Sequence, residues 1–222
     1  MATVLFVEPH QDDLALSMGA AARKHLEVGH DVHVLLLCGG MNSGVQPNSG
    51  ISRSAFGFAR DDEWYRANRA IGIKYENMHK ARVAMPDGEL TVSAAYDAIS
   101  WFAEEHPDTW LKTYSNLDIT GKHSDHLNSG IAAKQLLDQG KVLNLRFYVE
   151  PWLAATFVQE HAGVNLGTES AGQPEYVKAG LQEYKTVDPA GNKLGIGFKS
   201  IGAKLDAVIA NPVSRVHVPT GV

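Results

Sequence analysis

The chain has 222 residues, 44% hydrophobic and 20% charged, with 20 Lys and Arg against 25 Asp and Glu for a formal charge of −5. Such a chain suits one domain that buries roughly 70% of its unfolded surface, and the single cysteine, Cys38, excludes a disulfide framework and a Cys-rich zinc site. Without a basic excess no nucleic-acid partner is expected, and the longest apolar run, Val32 to Cys38, falls far short of the ~18 residues of a membrane span. Glu8 to Asp13 also places charge where a signal peptide stays apolar, so the chain reads as a cytoplasmic, reducing-compartment protein.

In chain order, Ala2 to Glu8 is a short run apolar on both faces, which predicts a buried strand. Pro9 to Asp13 breaks it. Ser17 to Val28 reads as a helix closed by Gly29, and Asp31 to Cys38 as a second buried strand, giving a β-α-β opening and a parallel pair. A long Gly-, Ser- and Asn-rich loop is expected from Gly39 to Phe56; its glycines match no phosphate-binding fingerprint. Arg60 to Ile71 follows as a helix, then a strand near Ile73 to Met78 and a turn at Pro86-Asp87-Gly88. Thr91 to Glu105 and Ser124 to Gln139 read as helices, Trp110 to Tyr114 and Leu145 to Glu150 as strands.

Past Pro151 only Pro174 to Lys185 has a clear helical pattern. The alternation predicts an α/β fold: a Rossmann-like, open, mostly parallel sheet with helices on both faces. Residues 1–150 would form that core and 151–222 an irregular C-terminal cap, all within one domain.

Two clusters carry chemistry. His10-Gln11-Asp12-Asp13 follows the first strand, and His123-Ser124-Asp125-His126 lies after the strand ending at Tyr114, just before a helix. Each alone reads most simply as a helix start with solvated neighbours. Together they gain weight, because the carboxyl ends of parallel strands open on one edge of the sheet, where ligand crevices form. Imidazole with carboxylate suits zinc or a related first-row ion, and two histidines with one carboxylate leave a position open. An aspartate then remains as a base and a histidine as an acid.

These residues resemble the PIG-L/LmbE-like deacetylases, whose Pro-His-Pro-Asp-Asp-Glu and His-Pro-Asp-His motifs read here Pro9 to Leu14 and His123 to His126. The resemblance spans about residues 2–150. It implies His10, Asp13 and His126 as metal ligands for Zn2+ (Fe2+ or Co2+ share such ligands), Asp12 as general base, and His123 as oxyanion stabiliser or acid, oriented by Asp125 with its pKa raised. Arg60, Asp87 and Trp152 are the expected substrate contacts, Trp152 by stacking on a sugar ring.

The implied reaction is zinc-dependent removal of an N-acetyl group from a glucosamine-containing small molecule. The alternatives are amidase action on a thiol-sugar conjugate at the same metal centre, or a non-catalytic glycan-binding module. Leu14 replaces a motif glutamate, and a tyrosine some relatives carry near the second motif is not matched, since Gly121 and Lys122 precede His123; Tyr114 is the nearest substitute. Cys38, His25, His30 and His33 read as packing or solvated residues. Oligomeric state is not legible.

Overall fold

The structure is a computed structural model that describes residues 1–188 and 193–219. Strand β1 (Thr3–Glu8) is buried from Val4 onward and sends alternate side chains into two cores. Val4 and Phe6 enter one, Leu5 and Val7 the other. β2 (Asp31–Cys38) does the same, with Val32, Val34 and Leu36 on the first face and Leu35 and Leu37 on the second. A strand without a polar face needs cover on both sides, and the expected β-α-β unit supplies it. The two strands pair in parallel from Thr3 opposite Asp31 to Glu8 opposite Leu36.

Five strands run parallel in the spatial order β3 (Met78–Met85), β2, β1, β4 (Trp110–Tyr114), β5 (Leu143–Val149). The first core is covered by α1 (Gly19–Glu27), α2 (Arg53–Ile71), α6 (Pro174–Glu183) and α7 (Ile196–Ala210). The second is covered by α3 (Val92–Glu105) and α4 (Ser124–Asp138). The chain leaves β1 toward β2 on one side, and its other neighbour, β4, leads on to β5. The crevice between β1 and β4 is therefore a topological switch point. No helix among the described residues is long and apolar enough to cross a membrane.

The structure departs from the sequence reading in four places. The first helix begins earlier, as a π-helical turn over Leu14–Met18, because the buried Glu8 carboxylate accepts the Leu14 N–H at 2.8 Å. α2 begins at Arg53, where the Ser52 hydroxyl caps it by accepting the Ala55 N–H, so the loop before it is shorter than expected. β3 lies later than the expected 73–78 strand; Tyr75–Asn77 is a 3-10 turn, and Asn77 is held by donating to Asp31 and to the Val32 carbonyl.

Beyond Pro151 the chain is more regular than an irregular cap. After α5 (Ala154–Glu160), β6 (Gly167–Ser170) and β9 (Val213–His217) extend the sheet antiparallel beyond β5. A short antiparallel pair, β7 (Val187–Asp188) with β8 (Lys193–Leu194), precedes α7.

α4 approaches β4 unusually closely. A Cβ added at Gly130 would stand 2.4 Å from the Ser115 carbonyl oxygen, a backbone atom that cannot swing aside. Alanine there would gain about 1 kcal/mol of helix propensity, but overpacking against backbone typically costs more. A net loss of about 1–3 kcal/mol is expected for Gly130→Ala, read as a lower denaturant midpoint at unchanged m-value; a midpoint at or above wild type would contradict the close approach.

Candidate active site

Both motifs stand where the switch point requires. His10 to Asp13 form the turn after β1, and His123 caps α4, its Nδ1 accepting the Asp125 N–H at 3.2 Å. His10, Asp12, Asp13, His123 and His126 line one cleft of about 360 Å3 together with Arg60, Asp87, Glu150 and Trp152. The outer wall is α7, through Ser200, Ile201 and Lys204. Asp125 is fully buried and does not line the cleft.

Asp13 is the hub. Its Oδ1 accepts the Tyr114 hydroxyl at 2.9 Å and lies 3.1 Å from His126 Nε2; its Oδ2 accepts the His10 N–H at 2.7 Å and lies 3.2 Å from His10 Nδ1. Tyr114 also stacks on the His126 ring, centroids 3.8 Å apart and planes 3° from parallel. It is buried behind the site and orders these two side chains.

His126 Nδ1 meets Glu150 Oε1 at 2.7 Å. With that nitrogen donating, Nε2 is the one that could coordinate, and it is buried without a hydrogen bond despite its closeness to Asp13. One donor atom each from His10, Asp13 and His126 falls within 4.8 Å of the others. An orphaned buried imidazole nitrogen, a second imidazole and a carboxylate fit a first-row divalent cation.

The electrostatics agree. Burial pulls the His10 and His126 pKa values down, yet the charge of Asp13 and bonds with Asp125 and Glu150 override it, lifting them to about 10 and about 9. Burial likewise opposes ionisation of Asp13, but His126 and His10 hold its carboxyl well below the usual range. In the metal-free protein, protons supply the positive charge that these carboxylates demand.

Asp12 is raised by burial and by Asp13, against the opposing charge of Arg60, whose guanidinium lies 3.6 Å away. Arg60 is itself buried and bonded to Asp87 at 3.0 Å, and Asp87 accepts the Gly40 N–H. The two expected substrate contacts thus engage each other as well as facing the cleft. Lys204 Nζ lies 4.5 Å over the Trp152 ring, covering one of the faces on which a sugar could stack.

One expected role is corrected. The Asp125 carboxylate does not orient His123. Its Oδ2 sits 3.0 Å from His10 Nε2 and accepts the Gly88 N–H at 2.7 Å, whereas His123 Nδ1 is 3.7 Å away. Nor is the His123 pKa raised: burial and the neighbouring His10 and His126 charges lower it, outweighing Asp125. Asp125 instead fixes the His10 ring.

Glu150, not among the expected site residues, had one available signal: it ends a strand predicted to open on the same edge. The α7 residues had none.

A family model described as "PIG-L: GlcNAc-PI de-N-acetylase" matches residues 5–137. Among solved structures, a deacetylase of the teicoplanin biosynthesis pathway superposes with a TM-score of 0.65 at 16% identity, over 99% of this chain and 100% of that one. N,N'-diacetylchitobiose deacetylase from Pyrococcus horikoshii gives 0.60 at 17%, over 93% and 76%. The 4-carboxy-2-hydroxymuconate hydratase from Pseudomonas putida gives 0.60 at 15%, over 100% and 98%. Likeness at such identities shows the fold alone. Comparison with curated proteins returns no match.

Two outcomes follow from this geometry. Glu150→Gln, which keeps the size but weakens the acceptor for His126 Nδ1–H, should lower zinc affinity about 10–100-fold, measured by competition with a chelator; unchanged affinity would deny Glu150 its orienting role. His10 and His126, with pKa values raised to about 10 and about 9, hold protons at pH 7, and those protons compete more strongly with a cation as pH falls. Zinc uptake at pH 7 should therefore release about two protons and weaken toward acid, as calorimetry in buffers of different ionisation heat would show.

Proposed function

The chain belongs to the PIG-L family, and on that premise we propose that it is a metal-dependent amide hydrolase that removes an N-acetyl group from a glucosamine-containing small molecule. The observation that carries the reading is the buried His126 Nε2, left without a hydrogen bond beside Asp13 while Glu150 occupies Nδ1. His10, Asp13 and His126 would hold the cation. When bound, such an ion supplies Lewis acidity that polarises an amide carbonyl and acidifies water.

Asp12 faces the cleft beside these three residues and is the general base. Burial and the Asp13 charge give it a greater appetite for a proton than a solvated carboxylate has, while the Arg60 guanidinium 3.6 Å away favours its ionised form. It takes a proton from the attacking water as the carbonyl carbon becomes tetrahedral. The leaving nitrogen must then be protonated, and Asp12 returns the proton to it.

His123 serves differently from an imidazolium acid. Its lowered pKa leaves it neutral at pH 7, and because Nδ1 accepts the Asp125 N–H, the ring proton resides on Nε2. That N–H donates to the developing oxyanion, the interaction that usually dominates acyl-transfer catalysis. Asn42, Ser43 and Asp87 line the remainder of the cleft and offer partners for sugar hydroxyls.

Asp12→Asn should lower kcat for acetate release from N-acetylglucosamine derivatives by about 10²–10⁴ with zinc content unchanged. Full activity in that variant would remove the base assignment. Turnover of thiol-sugar amides alone, with every acetamido sugar inert, would overturn the substrate class.

A further inference from the structure

A second set of donor atoms lies behind the first. His10, Cys38 and Asp125 each offer one ligand atom, all within 4.8 Å of one another. His10 Nε2 stands 3.0 Å and Cys38 Sγ 3.7 Å from Asp125 Oδ2. All three residues are buried, at 9%, 1% and 0% exposure. Bonds of ~2.0–2.3 Å in a tetrahedral zinc site hold donor atoms roughly 3.2–3.8 Å apart, so small adjustments would close this trio on one ion. Thiolate with imidazole and carboxylate favours zinc, cobalt or another thiophilic divalent ion over magnesium or calcium.

We propose that His10, Cys38 and Asp125 form a second, inhibitory site for a thiophilic divalent cation. The inference rests on the reading that His10 also belongs to the catalytic metal group. A neutral imidazole has a single coordinating lone pair. With Nε2–H donated to Asp125, that lone pair is on Nδ1 and faces Asp13. A cation on Nε2 needs the other tautomer, with the ring proton moved to Nδ1, which removes His10 from the first group. On binding, the Cys38 S–H bond is replaced by a sulfur–metal bond and its proton passes to solvent.

The two groups are thus alternative occupants of one histidine. The first opens on the cleft and requires no thiol to ionise, whereas Cys38 and Asp125 do not line the cleft. The second site therefore fills only at excess metal, and its filling stops hydrolysis. Cys38 is otherwise a buried, hydrogen-bonded thiol outside the catalytic machinery, so its replacement spares the basal reaction.

Cobalt(II) titrated into metal-stripped protein separates the two sites. The first site shows visible ligand-field bands, and the second adds an intense near-ultraviolet cobalt–thiolate absorption that grows as hydrolysis declines. Cys38→Ala and Cys38→Ser should lack that absorption, retain basal activity, and need at least about tenfold more zinc for inhibition. Loss of an outer-shell partner alone typically costs 10–100-fold in affinity, and here a direct ligand is lost.

Ligand-field bands without a thiolate absorption at any cobalt concentration would overturn the second site while leaving the catalytic reading intact. So would equal zinc inhibition of the wild type and both Cys38 variants. Failure to bind cobalt at all would overturn both readings.

Discussion

The carboxylate of Asp13 is the constraint around which the site is built. It is 5% exposed, and an isolated ionised carboxylate at such burial would cost several kcal/mol. Its oxygens are compensated from three directions, by the His10 main chain and ring, the Tyr114 hydroxyl, and the His126 ring. The partners come from the turn after β1, the end of β4 and the first turn of α4. Displacing any one of these elements leaves a buried charge short of a partner. The catalytic geometry and the packing of the sheet edge are consequently one problem with one solution.

The carboxylate excess beyond Asp13 sharpens this. Asp12, Asp87 and Glu150 line the same cleft, and Asp125 is buried behind His10. Arg60 serves Asp12 and Asp87 at once, and the imidazoles serve the others. Such a cluster attracts positive charge, whether protons or a cation. The same feature that makes it costly to fold makes it the place where a divalent cation would be favoured.

Much of this was legible because strands apolar on both faces imply parallel pairing, and parallel pairing gathers strand ends. From that rule alone His10 to Asp13 and His123 to His126 could be brought together. Other features escaped for physical reasons. β3 is an edge strand with Arg82 and Val83 exposed, so it lacks the apolar run that marked β1 and β2. β6 is four residues of mixed polarity whose pairing with β9 depends on partners far away in sequence. α7 kinks at Ile201, which blurs its helical period where it meets the cleft. Glu150 carried a positional hint and no motif.

The orientation of Asp125 shows where sequence reasoning must stop. A carboxylate between His123 and His126 could serve any of three imidazoles, and spacing cannot choose among them. In the folded chain each imidazole is committed by a different partner. His126 gives Nδ1–H to Glu150, which leaves Nε2 without a hydrogen bond; His10 gives Nε2–H to Asp125, which leaves Nδ1 toward Asp13. His123 accepts a main-chain N–H at Nδ1 and keeps a proton on Nε2. Three chemically identical side chains thus present two ring nitrogens suited to a cation and one N–H donor, set by the atom bonded to the other ring nitrogen. The division of labour at this centre resides in those three hydrogen bonds, two donated to carboxylates and one received from the capped end of α4.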